Sequence, residues 1–397
     1  LPQGRYAVTA ALNGAADTTF AAHPLLDVHA AATVTIDARA AKPVSLTVPN
    51  PAAEATLAEA GAEWPEGYGA SVAADDFTAL YSLNIAPQTS YEGFHSVIHG
   101  SFAKRHADGS FADSPFSYDV QYLVEDTMVT GYRHAVRPGE LATVTARHAR
   151  HAGDGARKGA SPQHDAVSGS FTTAQEYRTL PFTRTEFYNA DHGVRWGSFF
   201  MEGTVEDGAV STHYLQYGPP VAYRPGRTVT EQFNKAVFGP SFPDMGFAQA
   251  GRRGDEMFIA PPLYGDGAGR EGLSALRTAS KTTLYRNGEL VGTEEDTGGV
   301  FTAPPAEADY RVEITSTLGA PARLSTSLAA TWTFRSAHTD PAALTALPMS
   351  AVEFTPAVND ESVAPKGRTF PVPVRIDRQE GSTAAANRSL TVEASFD

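Results

Sequence analysis

The chain is 397 residues long and carries 31 Lys+Arg against 45 Asp+Glu, a formal net charge of −14 that argues against nucleic acid as an electrostatic partner. With 42% hydrophobic and 10% aromatic residues it can bury substantial cores, enough for two or three domains at about 150 residues each, and it is not a disordered composition. Cysteine is absent, which excludes disulfide frameworks, thiolate metal sites and cysteine nucleophiles, and no apolar run reaches the ~20 residues of a membrane helix. The opening Leu-Pro-Gln-Gly-Arg has no initiator Met, basic n-region or apolar h-region, so the chain is expected to begin inside a longer gene product. Its 25 Arg against 6 Lys, with abundant Ala, match the codon bias of a high-GC genome.

Gly 35 and Pro 27 are scattered too evenly for long helices. Residues 1–49 are expected to supply four strands, at 6–12, 18–26, 33–38 and 44–48. The last two rest on the alternation of Val34 with Ile36 and of Val44, Leu46 and Val48. Four strands are fewer than a stable sandwich uses. Residues 1–49 therefore read as a partial small β-sandwich that packs on the central domain or retains a cleaved upstream polypeptide, through Val34, Ile36, Val44 and Leu46. Its deletion is expected to leave the remainder folded. Residues 50–76 mix Pro, Ala and Glu and read as a linker or an extended wrap, with room for a short helix around 52–60.

A central β-rich domain follows over 77–230, with Tyr118, Val120, Tyr122 and Val124 alternating as a half-buried strand. Within it, Arg147, His148, Arg150, His151, Arg157 and Lys158 lie among Gly and Ala, so 147–163 reads as a mobile surface loop. A C-terminal β-sandwich is expected over 231–397. Its clearest feature is 283–291, strand, Asn287-Gly288 turn, strand, because both turn positions need positive φ. Leu324, Leu328, Ala330, Trp332 and Phe334 share one parity. Phe370, Val372, Val374 and Ile376 repeat the pattern, with Pro371 and Pro373 confining that strand to an edge, and Leu390, Val392, Ala394 and Phe396 suggest a last strand. Many short strands without βαβ alternation predict an all-β fold of two or three antiparallel β-sandwich domains, Ig-like or jelly-roll-like, with little helix.

Candidate chemistry is sparse. Gly267-Ala268-Gly269-Arg270-Glu271-Gly272 has the spacing of a dinucleotide loop, but no crossover helix can follow it, and a Gly-rich turn is the better reading. Asp266 beside this turn is a candidate calcium ligand, a carboxylate among backbone carbonyls suiting a hard cation; calcium is the one cofactor considered. Gly-x-Ser-x-Gly and His-Glu-x-x-His are both absent. His148 and His151 sit among cations that repel a metal and read as solvated loop residues, while His95, His99, His134, His192 and His213 read as polar edges of sheets. Aromatics crowd 177–223. Core packing is their default role, but an exposed platform of Trp196, Tyr214 and Tyr217 would suit a sugar or peptide, which makes a carbohydrate-binding or glycan-processing sandwich the rival reading.

Several segments carry a resemblance. Gly4-Arg5-Tyr6-Ala7-Val8, Asp17-Thr18-Thr19 and Asp27-Val28-His29 come first, followed by the run from Thr33 to Val44. Tyr223-Arg224-Pro225-Gly226-Arg227-Thr228, Asn234-Lys235-Ala236-Val237-Phe238-Gly239-Pro240 and Pro262-Leu263-Tyr264-Gly265-Asp266-Gly267 follow in order, then Trp332-Thr333-Phe334-Arg335-Ser336 and the run from Leu347 to Ala357. In that order the chain resembles the region downstream of the catalytic domain in large secreted actinobacterial subtilisin-like serine peptidases. The resemblance implies a secreted, extracellular, non-catalytic accessory region for folding, docking or retention. Its partner would be the upstream catalytic protease domain or fragment, with a protein or cell-wall substrate next, and neither nucleic acid nor a membrane span enters. The catalytic motifs do not carry over. Asp296-Thr297-Gly298 and His99-Gly100-Ser101 mimic two of them in the wrong order, and no Gly-Thr-Ser-Met stretch exists.

Overall fold

In a computed structural model the chain is described over residues 2–164, 172–383 and 386–393. It divides into two compact units, 1–212 with 219–233 and 213–218 with 234–397. The fold is all-β and mostly antiparallel. Among the described residues the helical segments are single 3-10 turns at Ala38–Ala40, Pro138–Glu140 and Asp191–Gly193, and no helix is long and apolar enough to cross a membrane.

The first unit begins with β1 (Gly4–Asn13), β2 (Thr18–Val28), β3 (Lys42–Thr47), β4 (Ala53–Trp64), β5 (Tyr68–Ala74), β6 (Leu80–Asn84), β7 (His95–Lys104) and β8 (Phe116–Glu125). It continues with β9 (Tyr132–Ala135), β10 (Leu141–His148), β11 (Gly155–Gln163), β12 (Gln175–Tyr177), β13 (Phe182–Asn189), β14 (Arg195–Glu206), β15 (Ala209–Val221, of which 213–218 belong to the second unit) and β16 (Thr228–Phe233). A central seven-stranded sheet runs β16-β10-β13-β8-β7-β4-β5, with β10/β16 and β13/β8 parallel. One face of it meets the five-stranded sheet β1-β2-β6-β3-β9 across an apolar core that joins Phe20, Val44, Leu46 and Leu80 to Ala58, Ala60, Ile98, Phe102 and Tyr118. The other face is covered by β11, β12 and β14 through a second cluster that includes Ala156, Ala160, Trp196 and Phe200. The unit is a three-layer stack.

This arrangement corrects the expected N-terminal organisation. Residues 1–49 are not a separate partial sandwich: β2 pairs with β6, and β3 pairs with both β6 and β9, so the segment is woven into the outer sheet. Residues 50–76 are not a linker. They form β4 and β5, and β4 is a strand where local composition favours helix, because its Ala face packs into the apolar core and its pairing with β5 and β7 overrides propensity. Val34 and Ile36 lie outside any strand and are half-buried. The 147–163 segment is no surface loop either; it is the end of β10, a six-residue connection over 149–154 and β11, with His148, His151 and Lys158 fully buried.

The second unit holds β17 (Ala250–Arg253), β18 (Glu256–Ile259), β19 (Glu271–Ser274), β20 (Arg277–Arg286), β21 (Glu289–Glu294) and β22 (Gly299–Thr302). After them come β23 (Ala308–Leu318), β24 (Ser327–Ser336), β25 (Thr345–Ala346), β26 (Ser350–Phe354) and β27 (Val374–Arg378). Sheets β22-β18-β17-β25 and β21-β20-β23-β24 enclose one core containing Met257, Ile259, Leu284, Val312 and Phe334. The β20–β21 hairpin turns at Asn287 and Gly288 with φ of 50° and 87°, the turn the Asn-Gly pair predicts. The strand expected over 370–376 starts only at Val374 and has a single partner, β26. No strand forms over 390–393, and 394–397 lie outside the described residues.

Candidate functional site

The two faces of the central sheet differ in kind. Pleating sends Ala58, Ile98, Tyr118 and Phe187 to one side; on the other, cross-strand partners place Glu59, His99, Ser101, Asp119, Arg184, Glu186 and Tyr188 in one layer. All of these polar groups are buried, and β11 adds Lys158 from the covering sheet. Charges at such depth persist only when paired and hydrogen-bonded.

Glu186 is the hub. Arg184 Nε donates to its Oε1 at 2.6 Å, Lys158 Nζ lies 3.5 Å from the same oxygen, and the Tyr188 hydroxyl donates to Oε2 at 2.7 Å. Arg184 also donates to Gln175 Oε1 at 2.8 Å and to the Tyr177 hydroxyl at 2.5 Å. Burial alone would push the Glu186 carboxyl up, but the Arg184 guanidinium, Lys158, His148 and the Tyr188 hydroxyl together hold it well below the usual range. Burial pushes the Lys158 ammonium down against the pull of Glu186. Its Nζ also donates to the Gly159 carbonyl at 3.2 Å and sits 4.5 Å from the centre of the Phe233 ring. Burial likewise raises Asp119, opposed by the Ser101 hydroxyl that donates to its Oδ1 at 2.8 Å.

Around this hub, His148 stacks on Phe182 and Phe233 with centroids 4.0 and 5.0 Å apart. His99 is no sheet edge; it sits mid-strand, buried, its Nδ1 3.1 Å from Glu59 Oε2. Nearby, Glu202 at the inward face of β14 turns one carboxylate oxygen onto three consecutive amides, His151, Ala152 and Gly153, at 2.7, 2.9 and 3.0 Å. A Cβ on Gly153 would stand 2.1 Å from the Gly203 carbonyl oxygen, so only glycine lets the turn close over the carboxylate.

The expected platform does not assemble. Trp196, in the first unit, is 1% exposed and its Nε1 donates to the Asn189 carbonyl at 2.8 Å. Tyr214, in the second unit, is 1% exposed and donates to the Tyr264 carbonyl; Tyr217 alone, at 37%, reaches solvent. Asp266 is 2% exposed. Its carboxylate accepts from the backbone amides of Ala268, Arg270 and Lys235 at 3.0, 3.1 and 3.3 Å and from the Arg270 guanidinium at 3.4 Å. N–H donors directed at both oxygens suit an anion that shapes a turn and do not fit a calcium ligand. Gly269, with φ of 83°, completes that turn.

Open surface lies elsewhere. A cleft of about 500 Å³ in the first unit is lined by Leu46, Val48, Phe77 and Phe102, and one of about 700 Å³ in the second by Asn287, Tyr310, Arg311 and Arg335. No member of the Glu186 cluster lines either. Sequence reading passed over Arg184 and Glu186. Their signal was Arg and Glu two residues apart in an alternating strand, which sets opposite charges side by side on one face. Compared with known proteins, the chain matches no family model and no curated protein sequence.

Proposed function

We propose that this chain is a non-catalytic accessory region of a secreted subtilisin-like serine endopeptidase, serving the folding, docking or retention of the enzyme. The reading is carried by the ordered motifs of the resemblance and by the structural roles their residues play. Gly226 turns the chain at φ of 71°, Asn234 at 57°, Asp266 organises the 265–270 turn, and the Trp332 indole ties β24 to the Ser350 carbonyl at 2.7 Å. The two segments that mimic catalytic motifs lie in different units, and each has its own local engagement: His99 is buried against Glu59, and Asp296 is on an exposed turn 3.1 Å from Arg277. The densest ionisable cluster is sealed between sheets, which favours a scaffold over a hydrolase, since a substrate must reach its catalytic groups.

A serine-directed fluorophosphonate probe and a casein assay test the reading directly. The chain alone should neither be labelled nor cleave casein, and should retain its cognate protease fragment on co-purification. Labelling of any serine of this chain would sink the proposal. The carbohydrate-binding alternative loses its motive with Trp196 and Tyr214 in the interior.

A further inference from the structure

The second unit ends in a two-stranded sheet, β26 and β27, docked by few polar ties. The Gln379 side chain accepts from the Ala250 amide at 2.6 Å and donates to the Ala250 and Leu347 carbonyls at 2.7 and 2.8 Å, and Trp332 holds the Ser350 carbonyl. The inward row of this segment is Met349, Ala351 and Glu353, all buried. A carboxyl thus stands where the row calls for an apolar side chain. Across the ladder Glu353 faces Arg375, and Ala351 faces Asp377. A single nitrogen, Arg375 Nη2, donates to Glu353 Oε2 at 2.6 Å and to Asp377 Oδ2 at 2.8 Å, while Glu353 Oε1 is buried with no hydrogen-bond partner.

The surroundings supply little further compensation. Asp266 lines the same small cavity as Glu353, adding a third carboxylate that is already paired with Arg270, and the 237–240 wall contributes Val237, Phe238, Gly239 and Pro240, none of them titratable. Arg375 itself lies against Gly269; a Cβ there would come within 2.4 Å of Nη2. The guanidinium is therefore both the ion-pair partner and the contact between hairpin and turn. Two carboxyls on one guanidinium nitrogen, one of them buried with a vacant oxygen, are satisfied when they hold one proton between them and are in excess when both ionise.

We propose that the β26–β27 hairpin is a proton-dependent clasp on the second unit, closed while Glu353 holds its proton and loosened when it ionises beside the Asp377 carboxyl. Burial and the Asp377 carboxyl push Glu353 up to about 8 against the opposing pull of Arg375. The sign follows: a proton bound more tightly in the closed state stabilises closure fully below the ordinary glutamate value near 4.5, and that contribution decays as pH rises through about 8. Loosening uncovers Met349 and Ala351. The clasp depends on this unit alone and stands whatever partner the chain serves.

Trp332 is the reporter, because its indole bonds directly to β26 and the chain has only 3 Trp. The full chain labelled with 5-fluorotryptophan, with Trp332→Phe assigning the resonance, is titrated by 19F NMR from roughly pH 6.5 to 9.5. The Trp332 resonance should move with a midpoint near 8 while those of Trp64 and Trp196 stay fixed. Glu353→Gln should hold it at its acid position throughout, and Asp377→Asn should lower the midpoint by about one pH unit. A stationary Trp332 resonance, or an identical titration in Glu353→Gln, overturns the clasp. If Glu353→Gln does not fold, an unshifted midpoint in Asp377→Asn does so.

Discussion

Glu186 accepts hydrogen bonds from Arg184 and Tyr188 and forms an ion pair with Lys158, and the unequal dependence of these partners on it sets the expected cost of removing each. Without Lys158, the carboxylate keeps Arg184 and the Tyr188 hydroxyl. Without Glu186, both Lys158 and Arg184 become uncompensated cations in the interior. Removing one member of a buried ion pair costs about 3–5 kcal/mol because it orphans the other charge, a penalty that Lys158 removal avoids since Glu186 keeps Arg184 and Tyr188. Lys158→Met should therefore leave the thermal midpoint of the first unit nearly unchanged, within about 1.5 kcal/mol, while Glu186→Leu should lower stability by more than about 3 kcal/mol. Comparable losses in the two variants, measured by calorimetry of the first unit's transition, would show that Lys158 and Glu186 act as an isolated pair.

At the level of elements, alternation was informative wherever a strand has one apolar face. β8, β24 and the β20–β21 hairpin stand where Tyr118-Val120-Tyr122, Leu328-Ala330-Trp332 and Asn287-Gly288 place them. It misled where a face is made mostly of Ala or where the buried side chains are cationic; β8, expected to be half-buried, was found by its large apolar residues although both its faces are covered. β4 carries Ala58, Ala60 and Ala62 on one face and Glu59 and Glu63 on the other, a composition that by itself reads as helix or linker, and only the two neighbouring layers make it a strand. The 147–163 segment is the cationic case. Its cations suggest solvent, yet the carboxylate paired with Lys158, Glu186, and the one that accepts from the 151–153 amides, Glu202, come from strands tens of residues away. The turn at 151–153 depends on Glu202, so Glu202→Ala should take the carboxylate away from the buried amides of His151 and Ala152 and the half-buried amide of Gly153 and cost about 3–5 kcal/mol. Glu202→Gln keeps a carbonyl oxygen there and should cost about 1–2 kcal/mol. Hydrogen exchange at His151, Ala152 and Gly153 should accelerate in the Ala variant and much less in the Gln variant; unchanged exchange in both would remove the carboxylate from its organising role.

Over the whole molecule, the decisive feature is that each unit closes around its own core while the N-terminal strands lie inside the first of them. The polar layer and its apolar counterpart share one sheet, and among the described residues the Ala58–Tyr118 face is covered by the outer sheet β1-β2-β6-β3-β9. Deleting residues 1–49 removes β1, β2 and β3, strips the pairing partners of β6 and β9, and uncovers the core positions filled by Phe20, Ala22, Val44 and Leu46. Three of those four side chains are large, and burial of each contributes about 1.5–3 kcal/mol, a sum comparable to the roughly 5–15 kcal/mol by which a domain is stable at all. The truncated chain should therefore lose the first unit's cooperative transition outright, contrary to what a separable N-terminal segment implies. The second unit keeps its own core and its scaffold of β17 to β27 with the 213–218 segment, and its own transition should survive. Calorimetry separates the outcomes: two transitions in the full chain and one in the truncated chain are expected, and a truncated chain that still shows both would mean that β6 and β9 hold the outer layer without their N-terminal partners.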